Sequence, residues 1–216
     1  MKNKSIYLID SEYFDSSPLH NPIRMCDCNI ANIYPDLYEM DYDLKILSTK
    51  SPTESEKSMP FYNDYRDKYG IPDISAIDQA VNISISKNVF LNGFDQKEFD
   101  YIVPMISDST EILYLFKCPE ISDLSALSKF KKLKGLFVFY NNSLQSLWNM
   151  KQNHTLKIIS FVYVTKLQKI DSLLNSSVEY INFDSSDNYG KKKDILFDKK
   201  VFAQIPTLKH LLLTYK

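Results

Sequence analysis

An alternating apolar triplet recurs along the C-terminal two-thirds of this chain, and it restricts the fold to architectures made by stacking equivalent units. The six copies are Ile83-Ser84-Ile85, Leu113-Tyr114-Leu115, Leu136-Phe137-Val138, Ile159-Ser160-Phe161, Ile181-Asn182-Phe183 and Leu211-Leu212-Leu213. A further apolar residue stands six places after the triplet in four of them (Leu91, Ile121, Leu144, Leu167), and Tyr189 takes that place in a fifth. The triplets begin at residues 83, 113, 136, 159, 181 and 211, so three steps are 22 or 23 residues and two are 30. Alternate residues of a strand point to opposite faces. The outer members of each triplet therefore point into a core and the middle member points out. One unit of this length cannot bury its apolar row alone; stacking pairs the strands in parallel and closes a continuous core.

The connections read as short. Ile121, Leu124, Leu127, Phe130 and Leu133 are apolar at every third place, a spacing that fits 3₁₀ turns or extended segments better than an α-helix. The longer units differ. Asp95 to Ile106, with Phe99, Ile102, Val103 and Ile106 on one side, predicts an amphipathic helix with Asp95 as N-cap. Lys199 to Ile205 predicts a shorter one.

With these residues in place, the segment 80–216 resembles leucine-rich-repeat proteins, above all the 22-residue type of bacterial internalins and phosphatase-regulating subunits. It departs from them in using Ile and Phe where Leu is expected, and in setting the turn apolar residue one position late. The resemblance implies an α/β horseshoe solenoid: a parallel concave sheet, short 3₁₀ or helical convex segments, and protein–protein recognition through the strand face. It also implies a turn position, three residues after each triplet, where Asn or Cys satisfies backbone groups. Asn88, Cys118 and Asn141 match it; Val164 cannot donate and Ser186 does so only in part.

Residues 1–79 do not repeat, yet Tyr7, Tyr13, Phe14, Tyr34, Leu37, Tyr38, Tyr42, Leu44, Ile46 and Leu47 are too many large apolar groups for a disordered arm. Lys4 to Ile9 and Tyr42 to Leu47 read as strands, and Phe61, Tyr65 and Tyr69 as a helix stopped by Gly70 and Pro72. We take 1–79 as an N-terminal cap over the open end of the repeats at 80–216, the alternative being a separate binding module. Asp41, Leu44 and Ile46 also fit the repeat spacing loosely, as a degenerate extra unit.

The charge balance, 26 Lys and Arg against 27 Asp and Glu, lacks the basic excess of a nucleic-acid binder. The first apolar run, Ile6 to Ile9, is too short for a leader, and no stretch is long enough to span a bilayer. Three cysteines without framework spacing fit a reducing compartment, so a cytoplasmic protein is expected. Abundant Lys, Asn, Ile and Tyr point weakly to an AT-rich bacterial genome.

In the register above, the central units expose Tyr114, Phe116, Phe137, Phe139, Tyr140, Val162, Tyr163 and Tyr180 on one continuous face. Water-facing strands have no packing reason to be so aromatic, and binding hot spots are rich in such rings. We read this face as the contact surface for another protein; the competing arrangement covers the rings with residues 1–79 or a twin subunit. Six strands about 4.8 Å apart and five residues of about 3.3 Å give a footprint on the order of 400 Å². That suits a peptide-sized site, with flanking loops such as Asp184–Lys193 recruited for a firmer complex.

Enzymatic signals are thin. His20, His154 and His210 sit in no nucleophile motif. His20 with Cys26 and Cys28 lacks a second pair for zinc, and Asp184, Asp187, Asn188 and Gly190 lack the spacing of a calcium loop and read as a turn. Lys191–Lys193 reads as a solvated loop, Cys118 as structural and Trp148 as core. The sequence thus points to a non-enzymatic protein-binding scaffold without cofactor or metal, an adaptor or immunity-type neutraliser. The alternatives are a carbohydrate-binding module and, more distantly, an enzyme using Asp10, Glu12 and His20.

Overall fold

A computed structural model of the chain describes residues 6–9, 30–34, 44–48, 86–186 and 191–216. Eight strands form one sheet in chain order: β1 (Ile6–Ile9), β2 (Leu44–Ser48), β3 (Asn88–Asn92), β4 (Ile112–Phe116), β5 (Gly135–Asn141), β6 (Ile158–Val164), β7 (Tyr180–Asp184) and β8 (His210–Thr214). β1 lies antiparallel to β2, and every later neighbour is parallel. Among the described residues, two short α-helices, α1 (Ile30–Ile33) and α2 (Gln96–Ile102), and several 3₁₀ turns complete an α/β fold.

The register confirms five triplets and moves one. Leu113, Leu136, Ile159, Ile181 and Leu211 stand in line, but the residue opposite Leu113 is Val89. The first copy is therefore Val89-Phe90-Leu91, and the step to the second is 24 residues, not 30. Leu91 and Asn88, expected in the turn, are strand residues. Ile83-Ser84-Ile85 lies outside the described residues, as do the helix expected around Tyr65 and the residues His20, Cys26, Cys28, Asp10 and Glu12. The slip has a simple cause: Ile83, Ile85, Val89 and Leu91 share one parity, so alternation alone accepts either pair. Leu44 and Ile46 align with Val89 and Leu91, so the residues assigned to the cap extend the same sheet.

The inward members of β3 to β7 all pack into one core, together with Phe99 and Ile102 of α2 and Leu127, Leu173 and Phe202 of the 3₁₀ turns. α2 begins with a reciprocal capping box. Asp95 accepts from the Glu98 amide at 2.8 Å, and Glu98 accepts from the Asp95 amide at 3.0 Å. The four connections from β4 to β8 each carry a 3₁₀ turn, at Ser125–Lys129, Met150–Gln152, Asp171–Asn175 and Lys199–Gln204.

Two buried asparagines tie unit to unit. Asn141 Nδ2 donates to the Cys118 and Ile121 carbonyls (2.7 and 2.8 Å), while its Oδ1 accepts from the amides of Ser143 and Leu144 (3.0 and 2.7 Å). On the far side of the core, Asn153 donates to the Leu127 and Phe130 carbonyls and accepts from Trp148 Nε1, each at 2.9 Å. Cys118 is buried and its thiol lies 3.4 Å from the Phe116 carbonyl and 3.8 Å from that of Leu91.

Candidate functional site

The sheet's second face carries the middle triplet residues and their flanking neighbours, and most of it is closed. Tyr114, Phe137 and Tyr180 are fully buried and Phe116 nearly so. With Ile112 and Ile158 they form a second apolar cluster that includes Ile30 of α1, with Ile33 and Tyr34 packed against it. The Tyr34 ring meets Tyr180 edge-on at 6.1 Å. This overturns the expectation that these four rings face solvent: part of the chain's own N-terminal segment joins them. Burial pushes the Tyr34 hydroxyl above its ordinary range, with the Glu179 carboxylate adding to it and Lys209 and Lys157 opposing. In the same row as Tyr114 and Phe137, Asn182 Nδ2 donates to Ser160 Oγ at 3.1 Å, so these two buried polar residues of the face answer each other.

Besides Phe90 and the residues of β8, what stays open on this face lies at the C-terminal ends of β5 and β6. Phe139, Tyr140, Val162 and Tyr163 are half-buried. Here the backbone does something unusual. Two residues after the second inward residue of β3, β4, β5 and β6 the chain takes a left-handed conformation, at Gly93 (φ 76°), Lys117 (φ 49°), Tyr140 (φ 62°) and Tyr163 (φ 58°); Ser185 and Tyr215, at the same place after β7 and β8, do not. In β5 and β6 this residue lies inside the strand, where the pairing passes from Phe139–Val162 directly to Asn141–Val164. The Gly93 amide donates to the Phe116 carbonyl at 3.0 Å and the Lys117 amide to that of Phe139 at 2.8 Å. Glycine adopts such angles freely, whereas another residue pays about 1–2 kcal/mol. For a side chain as large as tyrosine the conformation is a true outlier, of the kind that concentrates at functional sites.

The two tyrosines stack on each other, ring centroids 4.9 Å apart and 27° between planes. Lys193 sets its ammonium 4.9 Å from the Tyr163 centroid and donates to the phenol oxygen at 3.3 Å. Beside them Phe116 and Phe139 stack at 5.1 Å and 11°, and the Lys117 ammonium lies 5.5 Å from the Phe116 ring. The open patch is thus a paired-ring surface with an ammonium group on each side. Lys193, read as part of a solvated loop, belongs to it.

At the opposite ends of the strands runs a row of charged residues, Glu111, Lys134, Lys157, Glu179 and Lys209. Glu179 is clamped between Lys157 (2.7 Å) and Lys209 (2.5 Å), and Lys134 pairs with Glu111 (2.5 Å). The two lysine hydrogen bonds hold the Glu179 carboxyl below its usual range.

Among the described residues no three His, Cys, Asp or Glu side chains gather to hold a metal, and no helix is long and apolar enough to cross a membrane. Asp184 Oδ1 accepts from the Ser186 amide at 2.8 Å, a turn contact; Asp187, Asn188 and Gly190 lie outside the described residues. Sequence reasoning missed Asn153, the Glu179 clamp and the left-handed tyrosines. Gly93 held a signal for the last of these: once the register starts at Val89, a glycine marks the place that Tyr140 and Tyr163 occupy. No family model matches the chain, and the searches of curated proteins and of solved structures gave no match either.

Proposed function

We propose that this chain is a leucine-rich-repeat solenoid acting as a non-enzymatic protein-binding scaffold, with its contact at Phe139, Tyr140, Val162 and Tyr163 between Lys117 and Lys193. The in-line strands, the 3₁₀ connections and the Asn141 turn support the solenoid reading. One observation carries the functional reading. Two half-exposed tyrosines are held stacked on a backbone that disfavours them, where glycine would relieve the strain. Folding alone gives no reason to keep large rings there. Tyrosine supplies contact area at little entropic cost, which is why it serves as an anchor in interfaces.

A glycan needs a free ring face to lie on. Here the rings turn faces to each other in pairs, which favours a protein partner over the carbohydrate reading. The patch spans two strands and suits an extended peptide or a loop of a larger protein, as an adaptor or immunity-type neutraliser would engage.

The test is the double variant Tyr140→Gly with Tyr163→Gly, which removes both rings while fitting the backbone. Affinity capture from the native host with quantitative mass spectrometry should show one protein depleted about tenfold or more relative to wild type, with the melting temperature kept. Undiminished capture of every specific partner would rule the patch out.

A further inference from the structure

We infer that the paired-ring patch receives an acidic peptide segment of its protein partner, laid across the strands with a pair of carboxylates about three or four residues apart, one for Lys117 and one for Lys193. The inference rests on reading Phe139, Tyr140, Val162 and Tyr163 as the contact, and adds the chemistry of what lands there. Lys117 holds after β4 the place that Tyr140 and Tyr163 hold in β5 and β6, and its ammonium lies 5.5 Å from the Phe116 ring. Lys193 comes from the β7 side. Its amide donates to Ser185 Oγ at 3.2 Å, and its carbonyl accepts from that hydroxyl at 2.6 Å. Its ammonium reaches back to 4.9 Å from the Tyr163 centroid. The two cations thus bracket the rings along the sheet, separated by two to three strand steps of about 4.8 Å, or roughly 10–14 Å. An extended chain covers that distance in three or four residues of about 3.3 Å each.

The charge of the surrounding units agrees. Leu124 to Ile170, which contains β5, β6 and all four open residues, holds eight lysines and no aspartate or glutamate. With 27 acidic residues in 216, an even spread would put about six in a stretch of that length. The near-neutral total conceals this separation: residues 129–216 carry 15 lysines against 6 acids. Lys129, Lys134 and Lys157 are paired with Asp108, Glu111 and Glu179 from neighbouring units. Lys131, Lys132, Lys151, Lys166 and Lys169 are exposed and meet no carboxylate among the described residues. Lys166 stands in the turn that leaves β6, three residues after Tyr163. Asp184, opposite Val162 in the register, gives its carboxylate to the Ser186 amide. The field over the rings is therefore positive, which favours an acidic partner and speeds its encounter.

A nucleic-acid strand is anionic too, but it binds through bases stacked on open ring faces. Here the faces are turned to each other, with centroids 4.9 and 5.1 Å apart. Phe139 and Val162 offer apolar contact that a peptide side chain uses and a phosphodiester backbone does not.

The probe is a phage-displayed library of random peptides of about twelve residues, selected in parallel on the full wild-type chain and on Tyr140→Gly with Tyr163→Gly. Peptides held by wild type and lost on the double variant should carry an Asp or Glu pair about three or four places apart around an apolar residue. Changing that pair to Asn or Gln in the synthetic peptide should weaken binding about tenfold, roughly two- to fivefold for each exposed ion pair. Selection on Lys117→Asp with Lys193→Asp should return basic residues at the same spacing; aspartate is among the side chains that tolerate a left-handed backbone at position 117. Ring-dependent peptides without an acidic pair, or with one whose neutralisation changes nothing, overturn the acidic partner and leave the patch itself standing. The absence of any ring-dependent peptide removes both. An oligodeoxythymidylate of about twenty nucleotides that displaces the best peptide at equal concentration makes this a site for phosphate polymers and also overturns the proposal. If the charge-reversed chain does not fold, the neutralised peptides on wild type decide alone.

Discussion

Replacing Asn141 by alanine tests the physical basis of the stack most directly. Its side chain is almost fully buried and makes four hydrogen bonds, two given to carbonyls of the preceding unit's turn and two taken from amides of its own. A neutral hydrogen bond contributes about 1 kcal/mol net, and a buried group left unpaired costs about 1–3 kcal/mol. Ser143 is half-buried, so water reaches part of the site and the loss stays below the full sum. We expect Asn141→Ala to destabilise by roughly 3–5 kcal/mol, a large share of the ~5–15 kcal/mol typical of a domain. At about 2–4 °C per kcal/mol for a chain of this size, the melting temperature falls by roughly 10 °C. Asn141→Cys should lose less, because Cys118 already fills the equivalent turn. Asn141→Asp keeps the acceptor but sets an oxygen against two carbonyls. Burial and those carbonyls should raise its folded pKa, so its deficit should be greatest at neutral pH. The deficit should shrink as pH falls below that raised folded value and be gone below the unfolded value near ~4. Urea unfolding with circular dichroism reads all three. A loss under about 1 kcal/mol for the alanine variant would refute the turn as a structural tie.

Lys117→Gly should be more stable than Lys117→Ala by about 0.5–1 kcal/mol, since both remove the side chain and only glycine accepts the left-handed backbone freely; equal midpoints in urea would remove the strain argument. Glu179 has a depressed folded pKa, so its contribution is present above the unfolded value and lost as pH falls through the folded one. The gap in melting temperature between wild type and Glu179→Gln should therefore be widest near neutral pH and close towards about pH 3; a pH-independent gap would show that the two lysines do not act through that charge. A methyl at Gly135 would stand 3.0 Å from Ile112 Cδ1 and 3.1 Å from Phe137 Cε2. Gly135→Ala should cost about 1–2 kcal/mol by crowding the second apolar cluster, and thermal melting at wild-type level would mean that the cluster yields.

Much of the parallel sheet was legible in the residues because period two is a local property. Leu113, Leu136, Ile159, Ile181 and Leu211 announce their strands without help from elsewhere, and Asp95 announces the start of α2. The candidate site was legible only in part. Tyr140 and Tyr163 stand out as rings in the strand region, but their left-handed backbone belongs to a break in the β5–β6 pairing that no residue type announces. Phe139 and Val162 stay half-open, whereas Tyr114, Phe116, Phe137 and Tyr180 close into a cluster with Ile30.

By itself, the order of apolar and polar residues determined that the chain stacks short parallel strands, and which side chains of each strand share a face. Tertiary structure decided where the array begins and which face meets water. Alternation distinguishes two faces but does not say what will lie on either. The run Ile112 to Phe116 is apolar at all five positions and buried at all five, as in strands covered on both sides. Whether a second face is solvated depends on a segment distant in sequence, here Ile30 to Tyr34, and no pattern within a strand encodes that arrival.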